Sequence, residues 1–248
     1  MVVKIPKKES PFQKSKGLQE SYARALRSVA REVGKLVKGH APTDQISATK
    51  LRDALRRYSD LIAPWAKRIV TNILKSVNNQ DLYAWRKHTM EMGEATRKEI
   101  LSFNTGKSFQ KLMEENVELI KSIPLEAAER VHELVIKGLS EGMRADELAE
   151  KILKTESVTK SRATTIARTE IARAASLFTQ ARAENIGSTG YIWRTSKDKL
   201  VRGAHAKMEG KFVRWDKPPK LSDGTITHAG QIYNCRCYTE PEIPEYEE

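Results

Sequence analysis

KSRATTIARTEIARAASLFTQARAENI, residues 160–186, is the longest clean helical pattern in the chain. Its apolar residues Ala163, Ile166, Ala167, Ala174, Leu177, Phe178, Ala181 and Ile186 recur at three- and four-residue steps. Asn185 to Gly190 ends the pattern with glycine where a helix exit wants it. A helix this long with a continuous apolar stripe is the surface on which shorter neighbours can pack.

After Gly190 the texture of the chain changes. Tyr191 to Thr195 reads as a strand, Val201 to Met208 as a helical turn or two, and Lys211 to Trp215 as a second strand. Residues 216–232 are loop, rich in Pro, Gly and Asp, and Cys235 to Glu240 forms a third short strand.

Upstream the periodicity is helical. Leu18, Tyr22, Ala25, Leu26, Val29, Val33, Leu36 and Val37 mark a first helix, stopped at Gly39-His40-Ala41-Pro42. Thr43 or Asp44 caps a second, whose apolar series from Leu51 to Leu74 is kinked or broken at Pro64. Asn78-Asn79 reads as a turn, and Asp81 as the cap of a third helix running to about Phe103. Asn104-Thr105-Gly106 is another turn, followed by a helix from Lys107 to about Ile120. Pro124 opens a fifth, closed by Gly138 to Gly142, and Ala145 to Leu153 is a short amphipathic helix. The fold class is α+β and mostly helical: a multi-helix N-terminal region, then the long helix packed on a small C-terminal β-sheet. The expected organisation is a mobile basic arm (1–16), a basic helical region (17–120), a C-terminal domain (121–240) and an acidic tail (241–248).

The chain has 248 residues with a formal net charge of +12. Residues 1–100 hold 21 Lys/Arg against 10 Asp/Glu, residues 101–150 hold 6 against 10, and residues 160–220 hold 14 against 5. Two basic zones around an acidic one suit a polyanion such as nucleic acid. Aromatic residues, at 6%, are too few for a sandwich or barrel core. No apolar run reaches the ~20 residues of a membrane span, and Met1 to Pro6 has no signal-peptide core. The two cysteines sit one residue apart, which rarely allows a bridge, so a soluble protein in a reducing compartment is expected.

Four constellations could carry chemistry. Glu170 lies on the inward face of the long helix and needs a cation: Arg173 nearby as a surface pair, or Arg202 or Arg236 as a clamp from the C-terminal lobe. His205, His228, Cys235 and Cys237 are the residue types that hold zinc, although paired ligand cysteines are usually two to four residues apart. The same His205, Cys235 and Cys237 would serve a zinc- or thiol-dependent enzyme acting on nucleic acid or peptide. No Gly-rich nucleophile turn, phosphate loop or H-E-x-x-H accompanies them. Trp193, Phe212 and Trp215 interleave with Arg194, Lys211 and Arg214, giving either a stacking face for single strands or an aromatic face packed on the helix. Cys235 and Cys237 are expected reduced, with a bulge at Asn234 or Arg236 turning one inward and the other outward. A regular strand would instead put both on one side with Arg236 opposite.

The order Ala167-Arg168-Thr169-Glu170-Ile171-Ala172-Arg173-Ala174, Trp193-Arg194-Thr195, Asp198, Arg202, His205, Gly210-Lys211-Phe212 and Asn234-Cys235-Arg236-Cys237 resembles the phage head morphogenesis domain of the Mu F-like minor head proteins. The resemblance covers about residues 120–240. The loop His228 to Tyr233 departs from it, since relatives commonly show Pro-Gly there. The resemblance implies a non-enzymatic minor capsid protein in the phage head beside the portal protein, and in the host cytoplasm during assembly. It implies a role in procapsid assembly and in DNA packaging or ejection. Arg168, Glu170, Arg173, Trp193, Arg202, His205, Gly210, Asn234, Cys235, Arg236 and Cys237 are then the residues of a structural motif. Lys160, Arg162, Arg194, Lys211 and Arg214 are the candidates for double-stranded DNA contact without sequence preference. Major capsid or scaffold protein is a further candidate partner, and a membrane is not.

Overall fold

The computed structural model describes residues 10–13, 15–40, 44–90 and 92–243. Eight helices and three strands occur among them: α1 (Lys16–His40), α2 (Gln45–Leu61), α3 (Ala63–His88), α4 (Glu94–Ser102), α5 (Gly106–Ser140), α6 (Ala145–Leu153), α7 (Thr155–Asn185), β1 (Gly190–Thr195), α8 (Gly203–Ala206), β2 (Phe212–Arg214) and β3 (Cys237–Pro241). The expected α+β class, helices followed by a small C-terminal sheet, is what the chain adopts. No helix among the described residues is long and apolar enough to cross a membrane.

Asp44 caps α2 in a capping box, its carboxylate accepting from the Ser47 N–H at 2.8 Å. The chain breaks at Ile62, and Pro64 falls in the first turn of α3, where its missing N–H is not needed. Two expected breaks do not occur. Helix α3 runs unbroken through Asn78-Asn79, and Asp81 is a buried mid-helix residue rather than a cap. Helix α5 runs through Pro124. Leu112, Asn116, Ile120, Ile123, Ala127, Val131 and Val135 stay on one buried face across the proline. Burying several such side chains, each worth about 1.5–3 kcal/mol, outweighs the roughly 3 kcal/mol that an interior proline costs.

The chain forms two compact units, and α3, α5 and α7 contribute residues to both. These units cut across the expected segments because a long helix carries its chain through any boundary drawn along the sequence. One unit holds residues 16–74 and 110–170. Its core joins Val33 and Val37 of α1, Leu51 and Leu55 of α2, Val131 and Val135 of α5, and Leu148 and Ile152 of α6. A Cβ at Gly34 of α1 would lie 2.5 Å from the Glu156 carboxylate, so that side chain would have to shift to admit a larger residue.

The other unit holds residues 75–109 and 171–243, with the short described segment before α1. Its sheet is antiparallel in the order β2-β1-β3, with Tyr191 opposite Val213 and Trp193 opposite Thr239. Tyr191, Trp193, Val213 and Trp215 point into a core closed by Ala84 and Trp85 of α3, Ile100 of α4, Ala183 of α7 and Ile186 just after it. The sheet thus packs on the C-terminal end of the long helix. The expected mobile arm is largely outside the described residues, as is most of the acidic tail. Phe12 corrects the arm's boundary: it is buried, edge-on to Trp85 at 5.5 Å and to His88 at 5.1 Å. Phe212 is also corrected. It is 44% exposed and lies on the opposite face from Trp193 and Trp215, because it alternates with buried Val213.

Candidate functional site

His205, Cys235 and Cys237 converge in the sheet-bearing unit. Cys235 Sγ and Cys237 Sγ each lie 3.4 Å from His205 Nδ1. One ligand atom from each residue lies within 4.8 Å of the others. All three are buried, and neither cysteine is in a disulfide.

The backbone explains the convergence. In β3 the buried residues are Cys237, Thr239 and Pro241, so Cys237 faces the core. Two residues back, Cys235 falls on the same side, and the Cys237 N–H donates to its sulfur at 3.4 Å. Arg236 points the other way. Its Nε and Nη2 donate to Asp198 Oδ2 at 2.7 and 2.6 Å, and the Ser196 N–H donates to its carbonyl at 3.0 Å. The expected opposite-facing cysteines are therefore corrected to the regular-strand arrangement. Asn234, at φ 53°, turns the chain before the pair instead of between its members.

His205 is presented by α8, a single turn. Arg202 precedes that turn and donates to the Tyr233 carbonyl at 3.0 Å, which ties α8 to the segment leading into the cysteines. Gly210 has φ 79°, a left-handed conformation that suits glycine. Its N–H donates to the Trp193 carbonyl at 2.8 Å, bringing the end of this segment back to β1. Glu209 accepts from the Thr195 N–H at 2.6 Å and the Thr195 hydroxyl at 2.8 Å. The ring of Trp193 lies edge-on to His205 at 5.6 Å. Asp198, Thr195 and Glu209 were not assigned roles from sequence. Asp198 stands in the motif order, but its partner is 38 residues away.

His228 does not join the cluster. Its Nδ1 lies 3.2 Å from the Tyr191 hydroxyl, which also accepts from the Ala229 N–H at 3.0 Å. Burial pushes its imidazole below the ordinary value. The fourth expected metal ligand is therefore a core histidine packed against the sheet.

The Glu170 clamp is also corrected. Glu170 accepts from Asn116 Nδ2 at 3.0 Å, and Asn116 Oδ1 accepts from the Tyr22 hydroxyl at 3.0 Å, all within the helical unit. Arg236 is held by Asp198, and Arg202 by Tyr233. The buried clamp on the long helix is another one. Arg182 pairs with Asp81 and donates to Asn78 Oδ1 at 2.7 Å, while Thr179 donates to Asp81 at 2.5 Å. Arg168 is exposed and Arg173 half-buried.

Four of the five DNA-contact candidates spend their charge locally. Lys160 pairs with Glu156 at 2.7 Å, Arg162 with Glu126, Arg194 with Glu240 at 2.5 Å, and Arg214 with both oxygens of Asp216 at 2.8 Å. Lys211 is exposed.

Residues 129–240 match the family model described as Phage Mu protein F like protein. An uncharacterised protein of Haemophilus influenzae (strain ATCC 51907 / DSM 11121 / KW20 / Rd) is 33% identical over 133 residues, covering 54% of this chain and 29% of that protein. The chain thus spans less than a third of the length of this relative. No solved structure matches. The matched segment, residues 129–240, holds α7, β1, β2, all of β3 but its last residue, and the His205–Cys235–Cys237 cluster, and it is similar to the Phage Mu protein F like family.

Proposed function

We propose that this chain is a phage head morphogenesis protein, a minor capsid component that sits inside the head beside the portal and aids procapsid assembly and DNA packaging or ejection. The observation that carries the reading is the family match over residues 129–240. The buried state of the motif residues supports a structural role: Cys235, Cys237 and His205 are 7%, 0% and 2% exposed, so neither sulfur faces an incoming substrate. That burial weighs against a thiol enzyme at this site, whose nucleophile needs access.

DNA contact on this reading is made through backbone charge. The candidates around the sheet are mostly neutralised by their own carboxylates. Exposed Arg57 of α2 and Lys67 and Arg68 of α3, with no ion pair among the described residues, are better placed to meet phosphates.

The test is to purify procapsids and mature heads from a phage carrying this gene and to identify their proteins by mass spectrometry. The protein is expected in the procapsid and to co-sediment with portal rings. Its absence from both particles, with normal yields of infectious phage after deletion of the gene, would overturn the reading.

A further inference from the structure

We infer that His205, Cys235 and Cys237 form a zinc site that ties α8 to the start of β3, with His228 outside it. The geometry is that of a coordination sphere. Zinc–sulfur and zinc–nitrogen bonds of roughly 2.3 and 2.0 Å at a tetrahedral angle separate sulfur from nitrogen by about 3.5 Å. Both observed Sγ–Nδ1 separations are 3.4 Å.

The chemistry of the donors agrees. A neutral imidazole nitrogen has one lone pair and accepts well from one S–H, yet two sulfurs share the His205 Nδ1. A single divalent cation satisfies all three at once. Thiolate and imidazole together favour zinc over magnesium or calcium, which prefer oxygen. Binding would release the two thiol protons to solvent, and the two thiolates would balance the charge of Zn2+. A fourth position is left for water or another donor, as in other sites with three protein ligands.

The surroundings hold these ligands in place. Arg236, locked on Asp198, keeps both sulfurs turned inward, and the Arg202–Tyr233 bond holds the histidine turn against the strand that carries them. The ion would add a cross-link where the small sheet has only short strands to hold it.

The full chain, purified under reducing conditions, tests this directly. It is expected to carry stoichiometric zinc, and after chelation to take up Co2+ with a thiolate charge-transfer band and the visible bands of a tetrahedral site. Cys235→Ser, Cys237→Ser and His205→Gln should each lose those bands, and His228→Gln should keep them. Removing the metal from the wild type should lower its Tm, and Zn2+ but not Mg2+ should restore it, a readout that stands even if a variant misfolds. A folded, reduced wild type that takes up neither Zn2+ nor Co2+ would overturn the site. A Cys235–Cys237 disulfide in the freshly isolated protein would also overturn it. A folded His228→Gln that loses the cobalt bands would refute the three-residue ligand set.

Discussion

Asp81 and Arg182 show what a single buried pair contributes. Their side chains are 3% and 1% exposed, and Thr179 and Asn78 complete the hydrogen bonding. Truncating either partner leaves an uncompensated charge in the core. Asp81→Ala and Arg182→Ala are each expected to destabilise the protein by about 3–5 kcal/mol. The double variant should lose less than the sum, measured by urea denaturation in a double-mutant cycle. Burial pushes the Asp81 carboxyl up to about 6, against the pull of Arg182 and Thr179. A raised carboxylate binds a proton in the folded state that the unfolded chain has already released. Its contribution to stability therefore falls as pH rises from about 4 to about 6. Thermal melts across that window should show the wild type losing stability relative to Asp81→Asn, and parallel curves would contradict the assignment. Asp198 behaves in the opposite way. Burial works to raise it, but hydrogen bonds from Arg236, the Leu200 N–H and Ser196 outweigh burial and hold it below the ordinary value.

Among the elements, α7 carries the most. Phe178 is fully buried and stacks near Phe109 at 6.4 Å, while Ala183 and Ile186 close the core beneath the sheet. Phe178→Ala is expected to cost about 3–5 kcal/mol through the transfer energy of the missing ring and the cavity it leaves. A chemical denaturation midpoint unchanged from the wild type would show that the ring is not packed as described. Helix α7 starts at Thr155, before the clean pattern that opens at Lys160, and the Thr159 hydroxyl bonds the Thr155 carbonyl at 2.7 Å within its first turns. Helix α5 makes the same point about local signals. A proline usually marks a first turn, but here a buried face continues through it.

At the scale of the whole molecule, charge is the property most open to test. Residues 1–100 carry a surplus of 11 positive charges, so the proposed DNA contact predicts an affinity that falls linearly on a log–log plot against salt. Replacing Arg57, Lys67 and Arg68 with Ala should reduce that slope by about 0.9 for each phosphate that is no longer neutralised. Affinity indifferent to salt, or selective for one sequence, would contradict binding through the DNA backbone. The fold class, α6, the Pro64 break, the Asp44 cap and the strands near Tyr191 and Phe212 were legible from the residues, because periodicity and capping are local properties. The motif order from Ala167 to Cys237 also carried the resemblance to the family whose model matches residues 129–240. Tertiary structure alone decided which polar groups meet. Asp81 reads locally as a cap, but its partner Arg182 is 101 residues away. Glu170 bonds Asn116 rather than a C-terminal arginine, and Arg236 bonds Asp198. His205 and His228 are equivalent ligand candidates by residue type. Only folding sets one against two sulfurs and the other against Tyr191, because a side chain's partner depends on which faces the packed elements bring together.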